Sequence, residues 1–296
     1  MTRITEGHLV RHYQGVKGGR DAALLDIAQD HALFHLNELG LFRKGLVFKG
    51  GTALRKFRSG NSGRFSTDLD FATSDPELAI EVLAALDGTE VGGFTFGIST
   101  PDDNGRRAVL SVSTPFGTPR LGAKIEIARH APTLEPEMRD SVRLPIHALY
   151  DFEPVALPVV RAEEAIAEKL ARFGRVPLAR DLYDLYWYAK AGAFDEALVR
   201  RLWMLKSYRD IVVDARGGPP IDPEALLEAW PASEFHPEDI GYLTKPVKLE
   251  EWLRAVRARY GFLKELDSAE QRLADANARH LPEVTAALGS AGHLRS

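Results

Sequence analysis

Residues 47–73 read VFKGGTALRKFRSGNSGRFSTDLDFAT. Asp68 and Asp70 are two residues apart, and on a β-strand positions i and i+2 share a face. Two carboxylates held together repel, and a divalent cation relieves that repulsion. Mg²⁺ suits the pair, because it prefers oxygen ligands and usually takes substrate phosphates as well. The pair Gly50-Gly51 follows a short apolar run, where a flexible turn lets backbone approach a phosphate closely. Thr52 and Ser66 can add hydroxyls, and Lys49 adds charge. The pattern GxxxxGK[ST] is absent, so this turn is not a P-loop. Taken alone, Asp-x-Asp also fits an ordinary polar strand face, and Gly-Gly an ordinary tight turn.

Glu126 in KIEI (124–127) alternates with Ile125 and Ile127, so a strand beside that of Asp70 would bring a third carboxylate to the same place. Further on, EEAIAEKLARFGRVPLARDLYDLYWY sets Lys169 mid-helix, with Asp181 and Asp184 three apart on one helix face and Arg180 next to them. Residues 41–64 carry Arg43, Lys44, Lys49, Arg55, Lys56, Arg58 and Arg64 and no acidic residue, a run that fits either a solvated face or a phosphate-rich partner.

Positioning these residues requires a sheet followed by helices. Residues 21–40 show helical apolar spacing, with Gly40 as a stop. GLVFKGG reads as a buried strand entering a turn, TALRKFR as one or two helical turns, SGNSGR as a loop and TDLDFAT as a strand. A helix over 76–87 starts at Pro76. GGFTFGIST, RRAVLSVSTPF and RLGAKIEIARH read as strands, giving a sheet of roughly four to six strands. The proline-rich stretch 131–160 is expected to connect two lobes. From residue 161 the pattern is helical, including one long stretch, LEEWLRAVRARYGFLKELDSAEQRLADANARH. The tail GSAGHLRS is expected to fray. The predicted fold class is α+β, with a mixed-sheet lobe over 1–145 and an all-helical lobe over 146–296.

The chain has 296 residues, 45% hydrophobic and 27% charged, with a net charge of −4. A chain of this length can bury a core without staples. The absence of cysteine excludes disulfides, zinc–thiolate sites and thiol catalysis. The first 15 residues lack the apolar core of a signal peptide and no apolar run is long enough to span a membrane, so a cytoplasmic protein is expected. The net charge argues against a protein that coats nucleic acid by charge alone. His31 and His35 share a helix face, but with no third ligand evident, packing is the expected role.

KGGTALR, RFSTDLDFA, EEAIAEKLA and RDLYDLYW, in that order, resemble the nucleotidyltransferase toxins of the abortive-infection AbiEii type. These belong to the DNA polymerase β-like superfamily, and their mycobacterial members are the MenT toxins. The resemblance covers roughly residues 20–190. It implies a polymerase β-like nucleotidyltransferase core. Lys49, Gly50, Gly51, Thr52, Ser66 and Arg180 would hold the nucleotide. Asp68 and Asp70 would hold the metal, Mg²⁺ or Mn²⁺, with Glu126 as third ligand. Lys169 would contact the triphosphate, and Asp181 and Asp184 match the family's acidic positions. The implied reaction transfers NMP from an NTP to the 3′ end of tRNA, blocking aminoacylation and translation. The implied partner is an AbiEi-type antitoxin acting without a stable complex. One departure is SGNSGR, which lengthens the interval between Gly51 and Asp68.

Overall fold

The computed structural model describes residues 4–218 and 220–290; positions 291–296 of the tail lie outside the described residues. By compactness the chain divides into two units. One holds 1–132, 136–160 and 241–245, and the other 133–135, 161–240 and 246–296. The main division thus falls after Val160 rather than after residue 145.

The first unit is built on a mixed eight-stranded sheet. Its strands are β1 (Val47–Lys49), β2 (Leu69–Ala72), β3 (Glu90–Val91), β4 (Phe94–Ser99), β5 (Arg107–Thr114), β6 (Gly117–Ala128), β7 (Glu137–Arg139) and β8 (Leu157–Val159). The spatial order is β3-β4-β5-β6-β2-β1-β8-β7. β1 pairs antiparallel with β2, and β2 runs parallel to β6. The expected four to six strands become eight because the proline-rich stretch supplies β7 and β8 and a two-residue β3 is added. Pro158 has no N–H to donate, which is why β8 is hard to read as a strand. β8 nevertheless lies parallel to β1, and the Val160 amide donates to the Phe48 carbonyl at 3.1 Å.

Among the described residues this unit carries the α-helices α1 (Glu6–His12), α2 (Gly19–Glu38), α3 (Gly50–Leu54) and α4 (Pro76–Leu86). Pro76 and the Asp75 carboxylate, which accepts from the Glu77 and Leu78 amides, fix the start of α4. Alternation along the strands separates two faces. Phe48, Leu69, Phe71, Ile125 and Ile127 are buried with Leu24, Ile27 and Leu36 of α2 and Leu78, Val82 and Leu86 of α4. The opposite face of the same strands carries Lys49, Asp70 and Glu126.

The second unit is helical: α5 (Ala162–Phe173), α6 (Ala179–Ala191), α7 (Glu196–Val212), α8 (Pro223–Glu228), α9 (Leu249–Arg259), α10 (Ser268–Leu273) and α11 (Leu281–Ser290). The long stretch after residue 248 is broken. α9 ends before a turn over Gly261–Lys264, and α10 restarts under a cap from Asp267, which accepts from the Ala269 and Glu270 amides.

Glu164 is fully buried here. Its carboxylate accepts from the Thr133 amide at 2.7 Å, the Leu134 amide at 2.8 Å and Lys206 Nζ at 2.6 Å. Burial alone would lower the Lys206 pKa, but Glu168 and Glu164 outweigh it and raise it. Glu164→Gln keeps the shape and leaves the buried ammonium short of its counter-charge. It is expected to cost roughly 1–3 kcal/mol, read as the shift in a urea unfolding midpoint at pH 7. An unchanged midpoint would show that Glu168 alone holds Lys206.

Candidate functional site

Three strands bring charged residues to one face of the sheet. Lys49 is the register partner of Asp70 in the β1–β2 pair, and Asp70 is the partner of Glu126 in the β2–β6 pair. Directly paired residues share a face, so Lys49, Asp70 and Glu126 form a row across the centre of the sheet. Leu69 and Phe71, on either side of Asp70, are fully buried on the other face. Asp68 lies at the entry to β2, one residue before its first paired position. Glu126 Oε1 accepts from Arg107 at 3.0 Å, and both side chains are about half exposed.

The glycine turn fits around these side chains. Gly50 has φ +79°, a conformation that favours glycine. A Cβ there would lie 2.8 Å from the Asp70 Cβ and closer still to its carboxylate. A Cβ on Gly51 would lie 2.9 Å from Ser66 Oγ and would overlap the Arg64 guanidinium. The sequence reading gives both glycines to phosphate approach. The structure gives their open sides to protein: Gly50 admits Asp70, and Gly51 admits Arg64 and Ser66. Thr52 is fully buried, and its hydroxyl donates to the Asp68 carbonyl, tying the turn to the strand entry. From α2, the buried Gln29 amide donates to the carbonyls of Ser66 at 3.0 Å and Thr67 at 2.9 Å. Gln29, bonded to the strand entry, and Arg64, packed against Gly51, are neighbours of the turn that sequence patterns do not single out. Gln29 reads as part of the polar side of an amphipathic helix, and Arg64 as one more cation in a basic run.

That basic run is largely turned inward. Arg55, Lys56 and Arg64 are 1, 6 and 7% exposed. Arg55 Nε and Nη2 donate to Asp26 at 2.7 and 3.0 Å, and Lys56 Nζ lies 2.9 Å from Asp26 and 2.8 Å from Asp30. Arg58 pairs with Glu137 and Lys44 with Glu81. Residues 41–64 are therefore not a wholly solvated face, the first of the two readings of the run. Arg55, Lys56 and Arg58 are neutralised inside the unit, and Lys44 at its surface.

In the helical unit, Lys169 and the two aspartates form their own group. Lys169 Nζ donates to Asp184 Oδ2 at 2.6 Å and lies 3.6 Å from Asp181 Oδ1. Asp181 also accepts from Arg172, with Nε at 2.7 Å from Oδ2. Both aspartates are fully buried and Lys169 nearly so. Asp184 thus faces Lys169, and Asp181 faces Lys169 and Arg172. Arg180 is half-buried at the start of α6. The candidates thus fall into two groups: Lys49, Gly50, Gly51, Thr52, Ser66, Asp68, Asp70 and Glu126 in the sheet unit, and Lys169, Arg180, Asp181 and Asp184 in the helical unit.

Among the described residues no group of three or more His, Asp or Glu side chains is arranged to hold a metal ion by itself. Asp68 and Asp70, two half-buried hard-oxygen donors, fit an ion that takes one or two carboxylates and completes its shell with phosphate oxygens and water. The histidines play other parts. His31 packs against Phe94, Tyr150 and Phe152, and His35 bonds the Ala85 carbonyl at 3.1 Å. Among the described residues no helix is long and apolar enough to cross a membrane.

Comparison with known proteins adds to this geometry. No curated protein matched the chain. Among solved structures, MenT4, the nucleotidyltransferase toxin Rv2826c from Mycobacterium tuberculosis H37Rv, is 48% identical over 99% of this chain and 100% of its own, with a TM-score of 0.93. Two Helicobacter pylori chains match more distantly. One is 21% identical over 82% of this chain and 97% of its own, TM-score 0.46. The other, JHP933, is 18% identical over 86% and 97%, TM-score 0.40. Neither bears on the site. The family described as nucleotidyl transferase AbiEii toxin, type IV toxin–antitoxin system, matches residues 31–287. The chain belongs to the AbiEii family of nucleotidyltransferase toxins of type IV toxin–antitoxin systems.

Proposed function

We propose that this protein transfers NMP from an NTP to the 3′ end of tRNA in the cytoplasm, blocking aminoacylation and so translation. An AbiEi-type antitoxin opposes it, without needing a stable complex. The observation that carries the reading is the row Lys49–Asp70–Glu126 beside a glycine turn shaped around Asp70. In the transfer, the acceptor hydroxyl oxygen bonds to the α-phosphorus as the bond to the bridging oxygen breaks. Pyrophosphate leaves, and the hydroxyl proton is lost. Asp68 and Asp70 would hold Mg²⁺ or Mn²⁺, with Glu126 beside them. Such an ion, when bound, stabilises charge on the transferring phosphoryl group. Ser66 and the turn orient the triphosphate, and Lys49 supplies positive charge. Lys169 is assigned to the triphosphate, as the family resemblance implies, and within the helical unit Asp184 and Asp181 fix the direction of its ammonium. Arg180 is assigned to the nucleotide.

A second reading keeps the chemistry and changes the acceptor to a protein or small-molecule hydroxyl. The inward pairing of Arg55, Lys56 and Arg58 favours it, since it removes cations that an RNA acceptor would use. One experiment separates the two. The purified protein is incubated with total bacterial RNA, Mg²⁺ and each α-labelled NTP in turn. Label in tRNA-sized RNA is the expected result. Label in protein or a small molecule would move the acceptor to the second reading, and no label anywhere would remove the transferase reading.

A further inference from the structure

The two aspartates of the site are placed by different means. Asp70 sits inside two ladders, paired with Lys49 on β1 and with Glu126 on β6. Asp68 stands before the first paired position of both, and there side chains bond to the backbone. The Gln29 amide nitrogen donates to the Ser66 carbonyl at 3.0 Å and the Thr67 carbonyl at 2.9 Å, and the Thr52 hydroxyl donates to the Asp68 carbonyl. Three consecutive carbonyls, 66 to 68, thus accept from side chains, and both donors are buried. Gln29 Oε1 is buried with no partner among the described residues. Only the nitrogen of an amide can serve two carbonyls, so the strand entry fixes the orientation of Gln29 and leaves its oxygen unanswered.

Helix α2 is the base from which this happens. Its Asp26 and Asp30, on either side of Gln29, hold Arg55 and Lys56 through buried ion pairs. One helix therefore holds the chain ahead of the SGNSGR loop, at Arg55 and Lys56, and again behind it, at Ser66 and Thr67. The point at which the chain returns to β2 is set by α2 and not by the length of the loop.

We propose that Gln29 is the positioning residue for Asp68: by holding the backbone of Ser66 and Thr67 it sets where the Asp68 carboxylate stands relative to Asp70, and so the affinity of the pair for a divalent cation. The inference rests on the transferase reading above and adds a residue to it. Partners that orient a metal ligand from behind are commonly worth about 10–100-fold in metal affinity.

The test is Gln29→Met, which keeps the length of the side chain and loses both donors. Binding of Mn²⁺ is followed by electron paramagnetic resonance in the presence of an equal mixture of the four α,β-methylene NTPs, at a temperature where circular dichroism shows the variant folded. The Mn²⁺ dissociation constant is expected to rise about tenfold or more. Leu86→Ala is the control for stability. It opens a cavity on α4, on the other face of the sheet, and is expected to lower the melting temperature with the Mn²⁺ constant within about twofold of wild type. An unchanged constant in folded Gln29→Met overturns the proposal, whatever its melting temperature. An equal rise in Leu86→Ala overturns it as well, since loss of stability alone would then account for the effect. If Gln29→Met does not fold, Gln29→Asn keeps a buried amide and draws it back from both carbonyls by one methylene. The same rise is expected there, and an unchanged constant again overturns the proposal. Wild-type protein that binds no Mn²⁺ with the NTP analogues would remove the metal of the transferase reading and this inference with it. Wild-type binding matched by the variant removes this inference alone.

Discussion

Asp70→Asn is expected to reduce nucleotide transfer by about 10³-fold while leaving the fold intact. Asparagine has the shape of aspartate, so it still fits the space that Gly50 leaves open and still pairs in register with Lys49 and Glu126. What it loses is the negative charge that, in the proposed mechanism, holds the cation at the α-phosphate. The isosteric substitution therefore separates chemistry from architecture better than alanine does, since alanine would also empty the space over the turn. Single-turnover transfer of labelled NMP measures the loss, and a urea unfolding midpoint checks the fold. Glu126→Gln is the comparison. Its carboxylate is half exposed and already shared with Arg107, so a smaller loss is expected there. Asp70→Asn protein that transfers within about tenfold of wild type would remove Asp70 from the mechanism and, with it, the argument for a metal between Asp68 and Asp70.

The second large effect is on stability and lies behind the turn. Asp26 is almost fully buried and accepts from Arg55, Lys56 and His12 Nε2, the last at 2.8 Å. Lys56 continues to Asp30, which also accepts from the Tyr150 hydroxyl at 2.7 Å. Arg55 lies over the Phe65 ring, 3.6 Å from its centre, and donates to the Gly60 carbonyl. Asp26→Ala leaves the buried Arg55 without its carboxylate and Lys56 with Asp30 alone, and is expected to cost about 3–5 kcal/mol. Urea unfolding at pH 7 measures it, and a cost below about 1 kcal/mol would mean the cations find other partners. Acid should act on the same groups. Burial alone would raise the pKa of Asp26, but Arg55, Lys56 and His12 outweigh it and hold the carboxyl well below its usual range. Lys56 and His147 similarly lower Asp30. A depressed carboxyl pKa stabilises the fold fully above the unfolded value of about 4 and loses that contribution as pH falls toward the folded value. The melting temperature should therefore drop steeply below about pH 4 in the wild type and less steeply in Asp26→Ala.

These two predictions fall on opposite sides of what the sequence makes legible. Asp70 could be found because a strand writes its two faces into alternate residues. Leu69 and Phe71 mark the buried side, Asp70 must then face the other way, and KIEI repeats the pattern one strand over. Asp26 could not be found that way. On α2 the apolar positions Leu24, Leu25, Ile27 and Ala28 point to a buried stripe, and Asp26, Gln29 and Asp30 read as the side left to solvent. They are buried because their partners, Arg55, Lys56, Tyr150 and the backbone of Ser66 and Thr67, come from distant segments that no local pattern connects to the helix. The same logic misplaced the basic run: counting charges along 41–64 cannot show that acids from α2 and β7 already answer them. β7 and β8 were hidden for a different reason. Prolines mark a break in local pairing, and these three-residue strands pair with each other across a long connection and, through β8, with the distant β1.

The approach to Asp68 has a late-arriving neighbour. Phe65 forms a bridge with Tyr242, its amide donating to the Tyr242 carbonyl at 2.8 Å, and the Tyr242 hydroxyl reaches back to the Val16 carbonyl at 2.7 Å. Segment 241–245 belongs to the sheet unit although most of the helical unit lies before it in the chain. Chains emerge from the ribosome N-terminus first at about 5–20 residues per second, so roughly 10–35 s separate Phe65 from Tyr242 during synthesis. For that interval Phe65, three residues before Asp68, lacks its bridge partner. A nascent chain therefore holds the glycine turn and the Asp-x-Asp pair well before it holds the segment that bridges Phe65, which ties completion of this part of the sheet unit to a late stage of translation.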